Sequence, residues 1–248
     1  MNARIRFLAC MVAIAIPAAP ASLAQPAAAP APPVPNDRQP VTPVPRDAKW
    51  MQRHDQINAR AVPGAVDLIF IGDSITQGWE GAGRQAWEKF YGGRKAMNAG
   101  IGGDRTQHVL WRLDNGNVKG ITPKVAVVMI GTNNAKGNEP AETAAGIEAV
   151  VRSLRQKLPG TKVILLGVFP RGATSDDPLR KKNMAVNEIV AKLDDGKDVF
   201  YLDIGPKFLA ADGTLSKEIM PDLLHLSPRG YEIWAEAIEP KLKVLLGG

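Results

Sequence analysis

A serine and a histidine–aspartate pair are the residues of this sequence best suited to nucleophilic chemistry. Ser74 lies in the segment FIGDSITQG, just after an apolar run that ends at Gly72. Asp222 and His225 lie near the C-terminus, three positions apart, in MPDLLHLSPRGY. An aspartate so close in sequence can accept a hydrogen bond from the imidazole Nδ1 and fix the tautomer, which leaves Nε2 to take a proton from a hydroxyl. These side chains predict an acyl-transfer site if the fold brings them together.

Taken alone, Ser74 is also typical of a helix N-cap. A phosphate-binding loop is disfavoured because no Gly-Lys-Ser/Thr follows. The dinucleotide fingerprint also fails, since GIGGDR has Arg105 where Gly or Ala is required and GAGRQA lies too far beyond its strand. The sequence has no GxSxG elbow, which excludes the ordinary α/β-hydrolase arrangement.

Two further segments could supply hydrogen-bond donors to an oxyanion. The segment NAGIGGD holds Gly100, Gly102 and Gly103, which are costly in chain entropy and favour a backbone that approaches another group closely. A flexible turn is the alternative. The segment GTNN contains Asn133, whose side-chain amide can donate to an oxyanion, although a lone asparagine after a strand is also a common turn residue.

Apolar runs predict the strands that position these groups. The runs are VDLIFIG (66–72), KAMNAG (95–100), KVAVVMIG (124–131), KVILLGV (162–168) and VFYLDI (199–204). Most are continuous, as in strands buried on both faces of a parallel sheet, and segments with helical spacing follow them. The alternation predicts an open parallel α/β sheet of about five strands with helices on both sides. Functional groups gather beyond the carboxyl ends of such strands.

The first 46 residues predict export and a linker. Residues 1–24 have a basic start, a short apolar stretch and a small-residue run, which together predict a cleaved signal peptide and a periplasmic or extracellular protein. The apolar stretch is shorter than a membrane-spanning helix, so no stable membrane anchor is expected. Residues 25–46 are proline-rich and predict a semi-extended linker. Residues 47–248 then form one domain, and Cys10 falls within the signal peptide.

Charge and histidine content indicate neither a nucleic-acid partner nor a metal site. The formal net charge is +6, and the basic run RKK at 180–182 has no interleaved aromatic residues and predicts a solvated helix face. His54 lies in a polar lead-in and His108 in a predicted surface helix. Without paired histidines or a cysteine in the mature chain, we expect no metal and no other cofactor. The sequence leaves open whether the chain forms a homodimer.

Four blocks in order, GDS, NAGIGGD, GTNN and DLLH, resemble those of the SGNH (GDSL-type) esterase family. Within it, the long stretch GIGGDRTQHVLWRLDNGNVKGITPKVAVVMIGTNN is similar to the catalytic subunits of intracellular platelet-activating factor acetylhydrolases. The similarity covers roughly residues 50–246 and marks 47–248 as an SGNH hydrolase domain. It implies a flavodoxin-like, three-layer α/β/α fold.

Position by position, the resemblance implies Ser74 as nucleophile, His225 as base and Asp222 as its orienting acid. It implies an oxyanion hole formed by the Ser74 amide, Gly103 and Asn133, with Gly103 preferred over the neighbouring glycines because it directly precedes an aspartate, as the family's hole glycine does.

The expected reaction is hydrolysis of small, acetyl-type carboxylic esters through an acyl-enzyme. Ile75, Thr132 and Leu224 adjoin the reactive groups and are candidates to close the acyl pocket, with packing in the core as the alternative. Carbohydrate O-acetylesterase, lysophospholipase and thioesterase activities remain open. A non-catalytic glycan-binding module is disfavoured because the set of polar groups is complete.

Overall fold

All five apolar runs form strands of one parallel β-sheet. The computed structural model describes residues 39–247. Its strands are β1 (Leu68–Gly72), β2 (Ala96–Gly100), β3 (Val125–Met129), β4 (Lys162–Leu166) and β5 (Val199–Leu202). The sheet has the order β2-β1-β3-β4-β5 and every pair is parallel. The predicted strand number and arrangement are confirmed, and β1 lies next to the central β3.

Helices cover both faces of this sheet. The described helices are α1 (Ala48–Arg60), α2 (Ser74–Gln77), α3 (Arg84–Tyr91), α4 (Thr106–Asp114), α5 (Pro140–Lys157), α6 (Pro178–Val190) and α7 (Pro228–Leu246). Apolar residues of α1, α4, α5 and α6 pack with one set of strand side chains, which includes Ile69 and Ile71. Residues of α3 and α7 pack with the alternate set, which includes Leu68 and Phe70. Because successive strand residues face opposite sides, the continuous apolar runs fill two cores and give the predicted three layers.

The last helix begins as its sequence predicts. The Ser227 hydroxyl accepts a hydrogen bond from the Gly230 amide at 3.2 Å, and Pro228 occupies the first helical position. The helix then buries Trp234 and Ile238 against the sheet. Its start fixes the direction in which the chain leaves the Asp222 to His225 segment.

Three polar residues are more buried than their local sequence suggests. His54 and His108 are both buried, and the ring of His54 stacks on Trp50 with centroids 5.7 Å apart. The His108 Nδ1 accepts from the Arg105 amide at 3.0 Å at the start of α4. The predicted solvated face of RKK is wrong for Arg180, which is buried and donates to the Gly213 carbonyl at 2.8 Å. His108 and Arg180 bond to backbone groups, and the His54 ring bonds to the side-chain amides of Asn58 and Asn117. Local polarity does not indicate these buried partners.

The end of the predicted linker packs against the domain. The Thr106 hydroxyl donates to the Pro40 carbonyl at 2.8 Å, and Val44 is buried. The Arg46 Nη1 donates to the Gly102 carbonyl at 2.8 Å. Residues 40–46 therefore belong with the domain, ahead of the expected boundary at 47. The predicted signal peptide and residues 25–38 of the predicted linker lie outside the described residues. Among the helices of 39–247, none is both long enough and apolar enough to cross a bilayer.

Candidate active site

Ser74 is the first residue of α2, immediately beyond the end of β1. Gly72 permits this turn, since a Cβ there would lie 2.2 Å from Thr76 Oγ1 and 2.3 Å from the Met129 carbonyl oxygen. The helix cap is Asp73, whose Oδ1 accepts from the Ile75 amide at 2.9 Å. The capping role considered for Ser74 therefore falls to its neighbour, and the Ser74 hydroxyl is left for another partner.

That partner is His225, more than a hundred residues away in sequence. The Ser74 Oγ and His225 Nε2 atoms lie 2.8 Å apart, and His225 Nδ1 lies 2.6 Å from Asp222 Oδ2. A carboxylate beside Nδ1 favours the tautomer protonated there, so Nε2 can accept from the serine hydroxyl. The structure brings together the three side chains that the sequence singled out.

Asp222 is held by its own turn. Its Oδ1 accepts from the Leu224 amide at 3.1 Å and from the His225 amide at 2.7 Å. Partial burial raises the pKa of Asp222, but the hydrogen bonds from the His225 amide and imidazole, with the neighbouring charge, outweigh it, so the net pKa is lowered. The carboxylate is therefore ionised at neutral pH. It remains accessible, with 57% of the Asp222 side chain and 43% of the His225 side chain exposed.

The glycine-rich segment presents one unoccupied amide near Ser74. The Gly100 amide donates to Asn98 Oδ1 at 2.9 Å, and the Gly102 amide donates to Gln77 Oε1 at 2.7 Å. Within residues 39–247, neither the Gly103 amide nor the Ser74 amide has a hydrogen-bond acceptor. Gly103 also has a φ of +77°, a region that favours glycine. These observations favour Gly103, the predicted member of the set, over its two neighbours.

Asn133 lies beside the same segment. Its Nδ2 donates to the Asp104 carbonyl at 2.9 Å, directly after Gly103 in the chain. An amide nitrogen carries two hydrogens, so one remains to donate elsewhere. The structure thus gathers Ser74, Gly103 and Asn133 at the carboxyl edge of the sheet.

The sequence interpretation missed the buried ion pair that anchors this segment. Asp104 Oδ2 accepts from Arg112 Nε at 2.9 Å, and Asp104 Oδ1 accepts from Trp50 Nε1 at 2.6 Å. Arg112 Nη1 and Nη2 also donate to the Ala99 and Gly72 carbonyls at 2.9 and 3.3 Å. Burial raises the pKa of Asp104 and lowers that of Arg112, while their mutual attraction opposes both shifts. The only local signal was the position of Asp104 after Gly103.

Asp73 is a second buried carboxyl group, next to Ser74. Burial raises its pKa to about 7, and the hydrogen bond from the Ile75 amide opposes the rise. Its Oδ2 atom has no hydrogen-bond partner in the described part of the chain. Asp73 therefore supports the turn through one oxygen only.

The three acyl-pocket candidates have different environments. Ile75 is buried in the core on the α3 and α7 side, as in the alternative interpretation, and this part of the prediction is not supported. Thr132 is buried as well, and its Oγ1 accepts from Arg171 Nη1 at 3.1 Å and from Asn183 Nδ2 at 3.3 Å. Leu224 is half-buried beside His225. Of the three, Leu224 alone has appreciable exposed surface.

No group of three or more His, Cys, Asp or Glu side chains within 39–247 is placed to hold a metal ion. What this edge of the sheet offers is a hydroxyl, an imidazole backed by a carboxylate, and unoccupied amide hydrogens. These are the components of acyl transfer through a serine ester.

Comparisons with known proteins agree with this chemistry. The GDSL-like Lipase/Acylhydrolase family matches residues 70–233. Platelet-activating factor acetylhydrolase IB subunit alpha1 of Bos taurus is 40% identical over 208 residues, which are 84% of this chain and 88% of that protein.

Solved structures agree with the fold. A GDSL-like lipase from Bacteroides thetaiotaomicron is similar with a TM-score of 0.61 at 19% identity, over 78% of this chain and 97% of that one. An acetylxylan esterase from Geobacillus stearothermophilus, solved as a catalytic mutant, has a TM-score of 0.57 at 19% identity, over 75% of this chain and 95% of that one. The family match and the 40% identity establish that this chain belongs to the GDSL-like lipase/acylhydrolase family of ester hydrolases.

Proposed function

We propose that this protein is a serine esterase that hydrolyses short-chain, acetyl-type carboxylic esters through an acyl-enzyme on Ser74. The observation that carries the proposal is the hydrogen-bonded series from Ser74 Oγ through His225 to Asp222. A hydroxyl, a neutral imidazole and a carboxylate in this order form the arrangement that activates a serine.

In the first half of the reaction, His225 Nε2 takes the proton of the Ser74 hydroxyl as Oγ attacks the ester carbonyl carbon. The carbonyl oxygen becomes an oxyanion that accepts from the Ser74 and Gly103 amides and from Asn133 Nδ2. Collapse of the tetrahedral intermediate breaks the bond to the alcohol. His225 gives its proton to the departing alcohol, and the acyl group remains on Ser74.

In the second half, water replaces the alcohol. His225 takes a proton from the water as it attacks the acyl carbon, and the proton then returns to Ser74 as the carboxylic acid leaves. The mechanism requires the neutral imidazole, because a protonated His225 cannot accept from serine or water. Because the pKa of Asp222 is lowered, this carboxylate stays charged at neutral pH.

The acetyl preference is supported by the name of the relative that is 40% identical, an acetylhydrolase. Leu224, half-buried and next to His225 in the chain, is the candidate that we propose limits the space for an acyl chain. A series of p-nitrophenyl acetate, butyrate and octanoate tests this point. The highest kcat/KM is expected for the acetate, and a preference for octanoate would overturn it.

The direct test of the reaction is Ser74→Ala assayed with p-nitrophenyl acetate. Loss of a serine nucleophile lowers turnover on the order of a million-fold. Ser153→Ala, a half-buried serine on α5, is the matched control and is expected to retain activity. Ordinary esterase activity in a folded Ser74→Ala protein would remove Ser74 from the mechanism.

We also propose that the protein is exported, with residues 1–24 removed after translocation. The support is the order of basic, apolar and small residues at the N-terminus. Full-length expression in a bacterial host, followed by intact-mass measurement of the periplasm and the medium, tests it. The expected mature chain begins at Gln25, and recovery only of protein that retains Met1 would contradict export.

A further inference from the structure

A cavity lies beside the candidate active site, on the glycine-rich side. Its volume is about 340 Å³, and its lining includes Gln77 and Gly102. Gly102 donates to Gln77, and a Cβ on Gly102 would lie 3.8 Å from the Cβ of Ser74. An ester with its carbonyl at Ser74 and Gly103 could therefore extend its alcohol portion into this cavity.

Three basic side chains line the cavity, and two of them are anchored by backbone carbonyls. Arg46 Nη1 donates to the Gly102 carbonyl at 2.8 Å, and Arg53 Nε donates to the Gly100 carbonyl at 3.4 Å. Neither anchored guanidinium group uses all of its N–H groups, since Arg46 Nε and Arg53 Nη1 have no hydrogen-bond acceptor in the described part of the chain. Lys49 is exposed at the first turn of α1 and forms no ion pair with any residue of 39–247. The anchored guanidinium groups lose less conformational entropy when they bind a ligand.

The acidic groups nearby do not cancel this charge. Asp47 also lines the cavity, and its Oδ1 caps α1 by accepting from the Trp50 amide at 3.0 Å. Glu80 lies 2.8 Å from Arg53 Nη2, but it is shared with Arg60 at 3.0 Å. Asp104 Oδ1 lies 3.4 Å from Arg46 Nη1, but Asp104 is buried and also pairs with Arg112 at 2.9 Å. Three cations thus line the cavity with one carboxylate, and the two carboxylates next to it, Glu80 and Asp104, each pair with a further arginine outside the lining. The cavity keeps a positive surplus that attracts anions.

The size of the cavity decides the class of ligand. A volume of about 340 Å³ exceeds what one water needs and falls at the low end for small-ligand sites. It can hold a phosphate or carboxylate group together with part of the alcohol that carries it. Arginine suits both anions because its planar donors can bind two oxygens at once.

We propose that this cavity is a subsite for an anionic group, phosphate or carboxylate, on the alcohol portion of the ester. The proposal rests on the proposed function, because it takes the ester carbonyl to bind at Ser74. Arg46, Lys49 and Arg53 bind the anion, and the subsite raises kcat/KM for anionic esters over neutral esters of the same shape.

Matched acetyl esters test the preference. p-Acetoxybenzoate is compared with neutral p-acetoxybenzamide, and p-acetoxyphenyl phosphate forms the phosphate arm. In the Lys49→Gln/Arg53→Gln double variant, the ratio of kcat/KM for the anionic ester to kcat/KM for the neutral p-acetoxybenzamide is expected to fall roughly tenfold.

Lys119→Gln, an exposed lysine ahead of β3, is the charge-matched control and leaves the ratio unchanged. Because Arg53 also pairs with Glu80, the single Lys49→Gln variant, with an expected fall of roughly threefold, is measured alongside.

A binding measurement separates this proposal from the proposed reaction. Phenyl phosphate and benzoate are titrated into the Ser74→Ala protein and followed by NMR shifts of the tryptophan indole N–H groups, with benzamide as the neutral control. Saturable binding of at least one anion, weakened in Ser74→Ala/Lys49→Gln/Arg53→Gln and by added salt, supports the subsite even if no ester is turned over. The anion that binds with the higher affinity, phenyl phosphate or benzoate, identifies the preferred group. An unchanged kcat/KM ratio in the double variant, or equal affinity for anions and benzamide, overturns the proposal.

Discussion

The two sides of the candidate active site are built differently. On the donor side, Asp104 and Arg112 are fully buried, and they tie the glycine-rich segment to β1, β2 and Trp50. On the acid–base side, Asp222 and His225 are about half exposed and are held by hydrogen bonds within a few residues of one another. One side depends on long-range packing, and the other on a local turn.

This difference matches what each side does in the proposed mechanism. Oxyanion donors work by being fixed before charge develops, which a buried network provides. The imidazole must pass protons to the leaving alcohol and admit water, which an exposed position permits. The comparison predicts that substitutions of Asp222 or His225 lower the rate with little change in the free energy of unfolding. Substitutions of Asp104 or Arg112 should mainly lower the free energy of unfolding.

The largest effect on rate in this comparison is expected for Asp222→Asn. Loss of the correct imidazole tautomer lowers kcat on the order of ten thousand-fold, while the free energy of unfolding changes little because the side chain is exposed. Steady-state kinetics and urea unfolding check both expectations. Asp212→Asn is the matched control, since Asp212 caps a similar exposed turn through the Thr214 amide at 2.9 Å. A loss of less than tenfold would mean that another group orients His225.

Arg112→Met should show the opposite pattern. It leaves Asp104 buried without its main cation, and breaking a buried pair in this way lowers the free energy of unfolding by about 3–5 kcal/mol. Urea unfolding measures this loss. The control is Arg152→Met, which breaks an exposed pair with Glu148 and should lower the free energy of unfolding by less than about 1 kcal/mol. Equal losses in the two variants would refute the contrast between the two sides.

Asn133→Ala removes one oxyanion donor. Turnover is expected to fall about a hundred- to a thousand-fold with a smaller change in KM, because the donor acts mainly on the transition state. Asn115→Ala, an exposed asparagine at the end of α4, serves as the control. An unchanged kcat would place the oxyanion hole elsewhere.

The smallest predicted effect concerns Asp73 and pH. Its folded pKa of about 7 lies above the ordinary value of 3.8, so the native state keeps a proton that the unfolded chain has lost. That stabilising contribution is present at low pH and is lost as pH rises towards the folded pKa. The free energy of unfolding of Asp73→Asn, measured relative to wild type, should therefore rise by roughly 2–3 kcal/mol as the pH is raised from about 5 to about 8. Urea unfolding across this range, with exposed Asp176→Asn as control, checks the sign, and a constant difference would contradict it.

The same division explains what the sequence could predict. The five strands, the Ser227 cap of α7 and the Asp222–His225 pair depend on local patterns, and each is present in the structure. The Asp104–Arg112 pair, burial of His54 and His108, and packing of residues 40–46 depend on which elements meet in space. Ile75 shows the limit within one motif, because its position beside Ser74 suggested substrate contact while helix geometry turned it into the core.

The most direct test of the account is covalent labelling of the nucleophile. A p-nitrophenyl phosphonate ester, incubated with the protein and followed by peptide mass spectrometry, should place one adduct on the peptide containing Ser74. The labelling rate should fall on the order of a thousand-fold or more in His225→Ala, because the hydroxyl then lacks its base. Labelling at another serine, or equally fast labelling of Ser74 without His225, would contradict the account.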